Sequence, residues 1–373
     1  MLLHVRQKEN IMKKMKLAGL ATAVFMFAAM MTACGNAKAT NVTTEQATEA
    51  TTESAAETVT TTAAPETTVA STAAAETATD EAMRVGSLKG PTTMGLVNLM
   101  KASESGTSEG KYQFKMETQP DQILAGLVSG DLDVALIPAN MASVAYNKTK
   151  HGVSVIDINT LGVLYIVSGD ETIKNMKDLS GKTVLSTGQG ASPEYVLNYL
   201  LSSNNVTDCN VQFMSEATEI AAKLKEDSSL VALLPQPFVT AACAQNPDLK
   251  VAFSLNDAWN EVSADSKLLT GVTVVRNDYL KNHADQVATF LKEHASSTEK
   301  ANADVAETAK LVAEYGIIEK APVAEKALPN CSIVCLTGND MKSALSGYLN
   351  VLYQANPKSV GGNLPENDFY FIG

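Results

Sequence analysis

The chain of 373 residues carries a formal charge of −12, with 45% hydrophobic and only 5% aromatic residues, and these averages conceal three segments. Residues 1–33 carry +4, residues 35–82 carry −7 with Lys38 as their one base, and residues 83–373 carry −9. An acidic body without basic runs argues against nucleic acid and against anionic membrane surfaces, which are both gripped by clustered Lys and Arg. The body is long enough for one large domain or two of common size.

At the N-terminus, Met12-Lys-Lys-Met-Lys16 precedes fifteen largely apolar residues, Leu17 to Met31, and then Thr32-Ala33-Cys34-Gly35. A basic region, an apolar core and small residues before a cut form a secretory signal, and the translation start is Met1 or, the favoured reading, Met12. As a helix, fifteen residues rise about 22 Å, short of the roughly 30 Å hydrocarbon core, so a permanent span is disfavoured. Met31-Thr32-Ala33-Cys34 resembles the lipobox of bacterial lipoproteins. That resemblance implies acylation of Cys34, palmitate included, and a mature chain anchored on the outer face of the cell membrane. Residues 34–82 hold 15 Thr, 14 Ala and 7 Glu and no aromatic residue. Such a composition cannot bury enough surface to offset chain entropy, so a disordered, extended tether is expected.

From Arg84 strands and helices alternate. Arg84–Leu88 reads as a strand, Lys89–Thr93 as a turn, and Met94, Val97 and Met100 as the face of a helix. Tyr112–Thr118 is a strand; Pro120 opens a helix with Ile123, Leu124, Leu127 and Val128 on one face, and Gly130 ends it. Leu132–Ile137 is a buried strand, after which Asn140 is expected to cap a helix running through Tyr146. Ser154–Asn159 and Val163–Val167 are strands. A second unit starts near Ile173, with a strand reached through Asp178–Val184, a loop at Gly188–Ser192 and a helix opened by Pro193. Strands at Asn210–Met214 and Leu230–Leu234 flank a helix at Ala217–Lys225. A strand at Leu269–Val275 follows, then helices at Ala284–His294, Asp304–Tyr315 and Asp340–Tyr353, and an irregular tail from Pro357. No internal repeat is visible. Short connections between alternating elements predict open, mostly parallel sheets covered on both faces.

Three strand-to-helix turns could bind a ligand: Gly90-Pro91-Thr92-Thr93, Ala139-Asn140 and Gly188-Gln189-Gly190 with Ser192. Each follows the carboxyl end of a strand, where open α/β sheets take ligands, and a helix N-terminus offers free N–H donors. Gln236 is placed to close over a solute, and Trp259 either to stack on one or, the favoured reading, to pack at a domain junction. A dinucleotide site is disfavoured because Pro193 stands where the fingerprint after Gly188-x-Gly190 needs glycine. There is no Gly-x-Ser-x-Gly elbow, His283 and His294 read as solvated residues of a charged helix, and His151 as an exposed loop residue. Cys209, Cys243, Cys331 and Cys335 allow three complete pairings, among which spacing does not choose. Neither metal nor cofactor is expected, since Cys331-Ser-Ile-Val-Cys335 has no second ligand pair near it.

Four pieces in this order resemble the solute-binding lipoproteins of ABC importers related to nitrate, sulfonate and thiamine-precursor binding proteins. They are Gly130–Asn140, Asp178–Val184, Thr270–Asp278 and Ser359–Tyr370. The resemblance implies the type 2 periplasmic-binding-protein fold, α/β and two-lobed, with two crossovers: lobe 1 from residues 83–168 and 269–373, lobe 2 from 169–268. It further implies a monomer that is not an enzyme, captures a small organic solute between its lobes and docks on an ABC permease. The ligand would then meet Gly90–Thr93, Ala139, Asn140 and Gly188–Ser192, with Gly162 near the first crossover joining them. Lacking cationic residues other than Lys89, these turns suit a neutral or singly charged molecule. Two other classes carry the same lobes: a ligand-presenting sensor, and intracellular enzymes resembling menaquinone-pathway dehydratases or a pyrimidine synthase, which the export signal disfavours.

Overall fold

The first described strand, β1 (Met83–Leu88), is buried along most of its length, and its end feeds a short helix, α1 (Pro91–Met94), then α2 (Val97–Glu104). The structure, a computed structural model, describes residues 81–373. The secretory signal, Cys34 and nearly all of the tether lie outside the described residues. β2 (Tyr112–Glu117) is followed by α3 (Pro120–Ser129), which shows the local logic well. Proline occupies its first turn, where no N–H is needed, Ile123, Leu124 and Leu127 face inward, and Gly130 ends it in the left-handed region at φ 85°. β3 (Val134–Pro138), α4 (Ala139–Lys148), β4 (Val153–Leu161) and β5 (Leu164–Ser168) follow.

Then come β6 (Thr183–Ser186), α5 (Ser192–Ser203), β7 (Asn210–Phe213), α6 (Ala217–Glu226), β8 (Val231–Pro235), α7 (Phe238–Gln245), β9 (Lys250–Ser254) and α8 (Leu255–Val262). The return comprises β10 (Leu269–Arg276), α9 (Asn277–Asn282), α10 (Ala284–Ala303), α11 (Val305–Glu314), α12 (Ala321–Ala327), β11 (Ile333–Leu336) and α13 (Gly338–Ala355).

Two sheets result, ordered β11-β4-β10-β3-β1-β2 and β7-β6-β8-β5-β9. Among the described strands, β1 with β2 and β3, and β6 with β7 and β8, are the pairs that run parallel. β10 lies antiparallel between β3 and β4, and β5 antiparallel between β8 and β9. The expectation of mostly parallel sheets therefore gives way to mixed ones, for a topological reason. Each lobe builds four co-directional strands in the order second, first, third, fourth, and leaves a slot between third and fourth. The chain arriving from the other lobe fills that slot, and because it travels back it runs antiparallel. The same exchange puts β5, expected in lobe 1, into the second sheet, so the chain changes lobes at Gly162-Val163 rather than after Ser168. β8, α7, β9 and α8 fill the stretch 231–262, where the sequence reading had placed one strand.

All described residues belong to one compact unit. Its largest apolar cluster is continuous across the lobes, from Ile123 and Ile137 through Trp259 and Tyr348 to Leu197 and Val231. Full burial of each Leu, Ile or Val contributes roughly 1.5–3 kcal/mol. α13 carries much of the junction: Met341, Leu345, Tyr348, Leu349 and Leu352 are buried on one stripe at helical spacing. Trp259 is 0% exposed, with its ring 4.8 Å from that of Tyr199 and 5.8 Å from that of Tyr348. Its indole Nε1–H donates to Ser266 Oγ at 3.0 Å, so its role is packing.

Candidate functional site

Between the lobes lies a cleft of about 440 Å³, open to solvent, within the size range of small-molecule sites. Lobe 1 contributes Leu88 to Thr92 after β1, Pro138, Asn140 and Met141 at the start of α4, and Leu268 to Thr270 at the return. Lobe 2 contributes Ser186 and Thr187 after β6, Ala191 to Pro193 at the start of α5, and Leu233 and Pro235 at the end of β8. Both sheets thus present the carboxyl ends of their parallel strands to the cleft. Two helices, α4 and α5, begin at its wall, and neither has a side-chain cap at its first turn. Their free N–H groups and the positive ends of their dipoles suit a polar or anionic group.

The charge is sparse. Lys89 is the one residue carrying a full charge in the lining, and Leu, Val, Pro and Met make most of the wall. Tyr348 reaches in from α13; its burial pushes the hydroxyl up to about 12, opposed by a hydrogen bond with Ser192. Its phenol is therefore neutral near pH 7 and offers hydrogen bonding without charge.

Of the residues singled out in the sequence, Gly90, Pro91, Thr92, Asn140, Gly162 and Ser192 line this cleft. Thr93 lies beneath it, fully buried, with its hydroxyl 2.9 Å from Ser87 Oγ and donating also to the Leu88 carbonyl. Ala139 is buried in the core. Gly188 and Gly190 shape the turn before α5 at φ 79° and 72°, with Gln189 exposed outside the lining. The Gly190 N–H instead reaches Glu194 Oε2 at 2.5 Å, and Tyr195 Oη donates to the Gly190 carbonyl at 3.0 Å. Gln236 is 4% exposed, and its Oε1 accepts the Thr240 hydroxyl at 2.8 Å. It is held down on the first turn of α7, away from the cleft wall.

Asn140 is not the cap of α4; Pro138 holds that position. One residue inside the helix, Asn140 Nδ2 donates to the Ser359 carbonyl at 3.1 Å, which ties the C-terminal tail to the cleft rim. Gly162 has a steric reason to be glycine: a Cβ there would lie 2.7 Å from Leu268 Cγ, because the two crossovers pass in contact. Pro120, Leu233, Leu268 and Tyr348 were missed. Tyr348 had no local signal, since it sits mid-helix on an element remote in sequence from the strand ends.

Two of the three described histidines, His294 and His283, depart from expectation, and His151 keeps to it. His294 is 0% exposed, with Nδ1 3.2 Å from Asp157 Oδ2, and His283 stacks on Tyr279 with its ring centroid 4.5 Å away. His151 stays half exposed at the end of α4, its Nδ1 2.9 Å from Tyr146 Oη. None of the three lines the cleft. All four described cysteines are free thiols.

A family model described as NMT1/THI5 like matches residues 111–307, more than half of the chain. The chain belongs to the NMT1/THI5-like family. Members share the fold with several solved structures. An ABC transporter from Parabacteroides distasonis superposes with a TM-score of 0.67 at 23% identity, covering 78% of this chain and 98% of that one. The periplasmic aliphatic sulphonate binding protein SsuA from Escherichia coli gives 0.61 at 16%, covering 76% and 90%. The alkanesulfonate-binding protein SsuA from Xanthomonas axonopodis pv. citri, bound to MOPS, gives 0.55 at 15%, covering 79% and 96%. No curated protein sequence matches the chain. As an NMT1/THI5-like protein, it has the two-lobed periplasmic-binding-protein fold that its two mixed sheets display.

Proposed function

We propose that this protein is an extracytoplasmic solute-binding lipoprotein of an ABC importer, anchored through Cys34, which captures a small organic molecule between its lobes and hands it to a membrane permease without turning it over. The observation that carries this reading is the cleft: both lobes supply strand ends and helix N-termini to one largely apolar cavity of about 440 Å³, with Lys89 as its one fully charged residue. A molecule with an apolar body and one neutral or monoanionic head fits that wall. The relatives named for sulfonate binding lend the same sense of scale. Gly162 and Leu268, where the crossovers touch, are the pivot about which the lobes close on the solute. Within the cleft, Gly90, Pro91, Thr92, Asn140, Gly162 and Ser192 are the contacts proposed.

Native mass spectrometry of the protein purified without denaturation tests this. The expected result is one small molecule per chain, released intact on denaturation, whose return raises the melting temperature without any product accumulating. Conversion of that molecule during incubation would overturn the reading in favour of an enzyme.

A further inference from the structure

A second constellation lies in lobe 1, away from the cleft. Asp157, midway along β4, is fully buried, and its Oδ1 accepts the Thr273 hydroxyl at 2.8 Å from the neighbouring strand β10. On its other side β4 pairs with β11, which carries Cys335, and α10 lays His294 over the same face. One donor atom from each of Asp157, His294 and Cys335 lies within 4.8 Å of the other two.

We propose that Asp157, His294 and Cys335 bind a borderline-soft divalent transition metal ion, zinc being the natural occupant of such an oxygen, nitrogen and sulfur set. Zinc bonds to these atoms are about 2.0–2.3 Å long, so ligands around one tetrahedral ion stand roughly 3.3–3.8 Å apart. The 3.2 Å between His294 Nδ1 and Asp157 Oδ2 is close to that spacing, and the Cys335 donor atom lies within 4.8 Å of both. The charge fits too. Asp157 is paired with His294 and with no lysine or arginine, so a dication meets a buried carboxylate that lacks a permanent counter-charge.

One surrounding detail serves a metal site, and another fixes where the ring proton must sit. Thr273 supplies the outer hydrogen bond that orients a ligating carboxylate. His294 Nε2 is buried without a hydrogen-bond partner, as is Thr298 Oγ1 one turn further along α10. With Nδ1 turned to the cation, the proton of the neutral ring sits on Nε2. A Cys-His-Asp nucleophile is the competing use of these residue types. It requires the thiol at the ring nitrogen opposite Asp157, and that nitrogen has no partner. Binding would displace the Cys335 thiol proton to solvent and pin β11 and α10 to β4.

The test is titration of the chelator-treated full-length protein with Co²⁺. One equivalent is expected to give tetrahedral d–d absorption together with a thiolate-to-cobalt charge-transfer band. Cys335→Ser should abolish that band, Thr273→Val should weaken binding about 10- to 100-fold, and His294→Gln, which removes a ligand, should weaken it further. Asp368→Asn, which alters the exposed His151, Glu366 and Asp368 group, should change neither. As a check that needs no variant to fold, Zn²⁺ should slow alkylation of Cys335 but not of Cys209. Absence of the band in the wild-type protein, its persistence in Cys335→Ser, loss on Asp368→Asn, or equal alkylation of Cys335 with and without Zn²⁺ would overturn the proposal.

Discussion

Trp259 offers a quantitative probe of the junction between the lobes. Replacing it with phenylalanine keeps an aromatic body between Tyr199 and Tyr348 and removes the 3.0 Å bond to Ser266 Oγ. Ser266 retains Ser263 as a partner at 2.6 Å, so the loss is one ordinary buried hydrogen bond plus a partial void. That amounts to about 1–2 kcal/mol. Alanine at the same place leaves a cavity the size of an indole at a fully buried site and should cost about 3–5 kcal/mol. For roughly 290 folded residues, an unfolding entropy of about 2.1 cal/mol/K per residue makes 1 kcal/mol worth about 1.6 °C. The melting temperature should therefore fall by about 2–3 °C for Trp259→Phe and about 5–8 °C for Trp259→Ala, followed by far-UV circular dichroism. Trp259 is the one tryptophan of the chain, so its emission in the wild-type protein should red-shift in the same transition. Equal, small shifts for both variants would refute a load on this side chain, and an emission change well before the circular dichroism change would refute a shared core.

Asn140→Ala should weaken capture of the co-purified solute about 5- to 10-fold in isothermal titration, through about 1 kcal/mol of lost hydrogen bonding. His283→Ala, outside the cleft, should leave it within a factor of two, and equal effects would remove Asn140 from the site. Gly130→Ala should lower the melting temperature by about 2–3 °C, because φ is 85° and the added Cβ would sit 2.7 Å from Arg276 Nη1, at a cost of about 1–2 kcal/mol. Acid stability follows the described carboxylates held below the usual range, among them Asp170 by the Thr172 hydroxyl and Lys182, Asp208 by Ser180, and Asp278 by the Arg276 guanidinium. Their folded values lie below the unfolded value of about 3.9, so their contribution is intact above about pH 4 and lost as pH falls through the folded values. Thermal melts should be flat from pH 7 to 5 and drop below pH 4, and Asp278→Asn should shrink that drop; an unchanged drop would exclude the Arg276 pair as a cause.

Much of the α/β order was legible because its signals are local. Pro120, the Ile123, Leu124 and Leu127 face and Gly130 delimit α3 within one short window, and the Leu-, Val- and Ile-rich run before Pro138 marks a strand buried on both faces. Strand direction was not legible, since β5 and β10 carry the same β-branched pattern whichever way they run; the slot that fixes their direction exists only in the partner lobe. The cleft was half visible for the same reason. Thr92, Asn140 and Ser192 follow strand ends and can be found by position, whereas Tyr348 enters from a helix whose stripe reads simply as core. Gln236 misled because a polar residue after a strand signals equally a ligand contact or a local bond, here to Thr240. His294 misled because its neighbours along α10 are charged, while the residue it meets, Asp157, stands 137 positions earlier.

The reciprocal filling of the two slots bears on how the chain folds. The second sheet is complete once residue 254 is available, all its strands lying between Leu164 and Ser254. The first sheet cannot close until β10 and β11 arrive, so β3 and β4 wait with unpaired edges facing each other across a gap. Pulse-labelled hydrogen exchange during refolding should find β6 and β8 protected before β4 and β10. During that interval the half-built sheet is the aggregation-prone part of the molecule, and a holdase chaperone would have most to gain by covering β3 and β4.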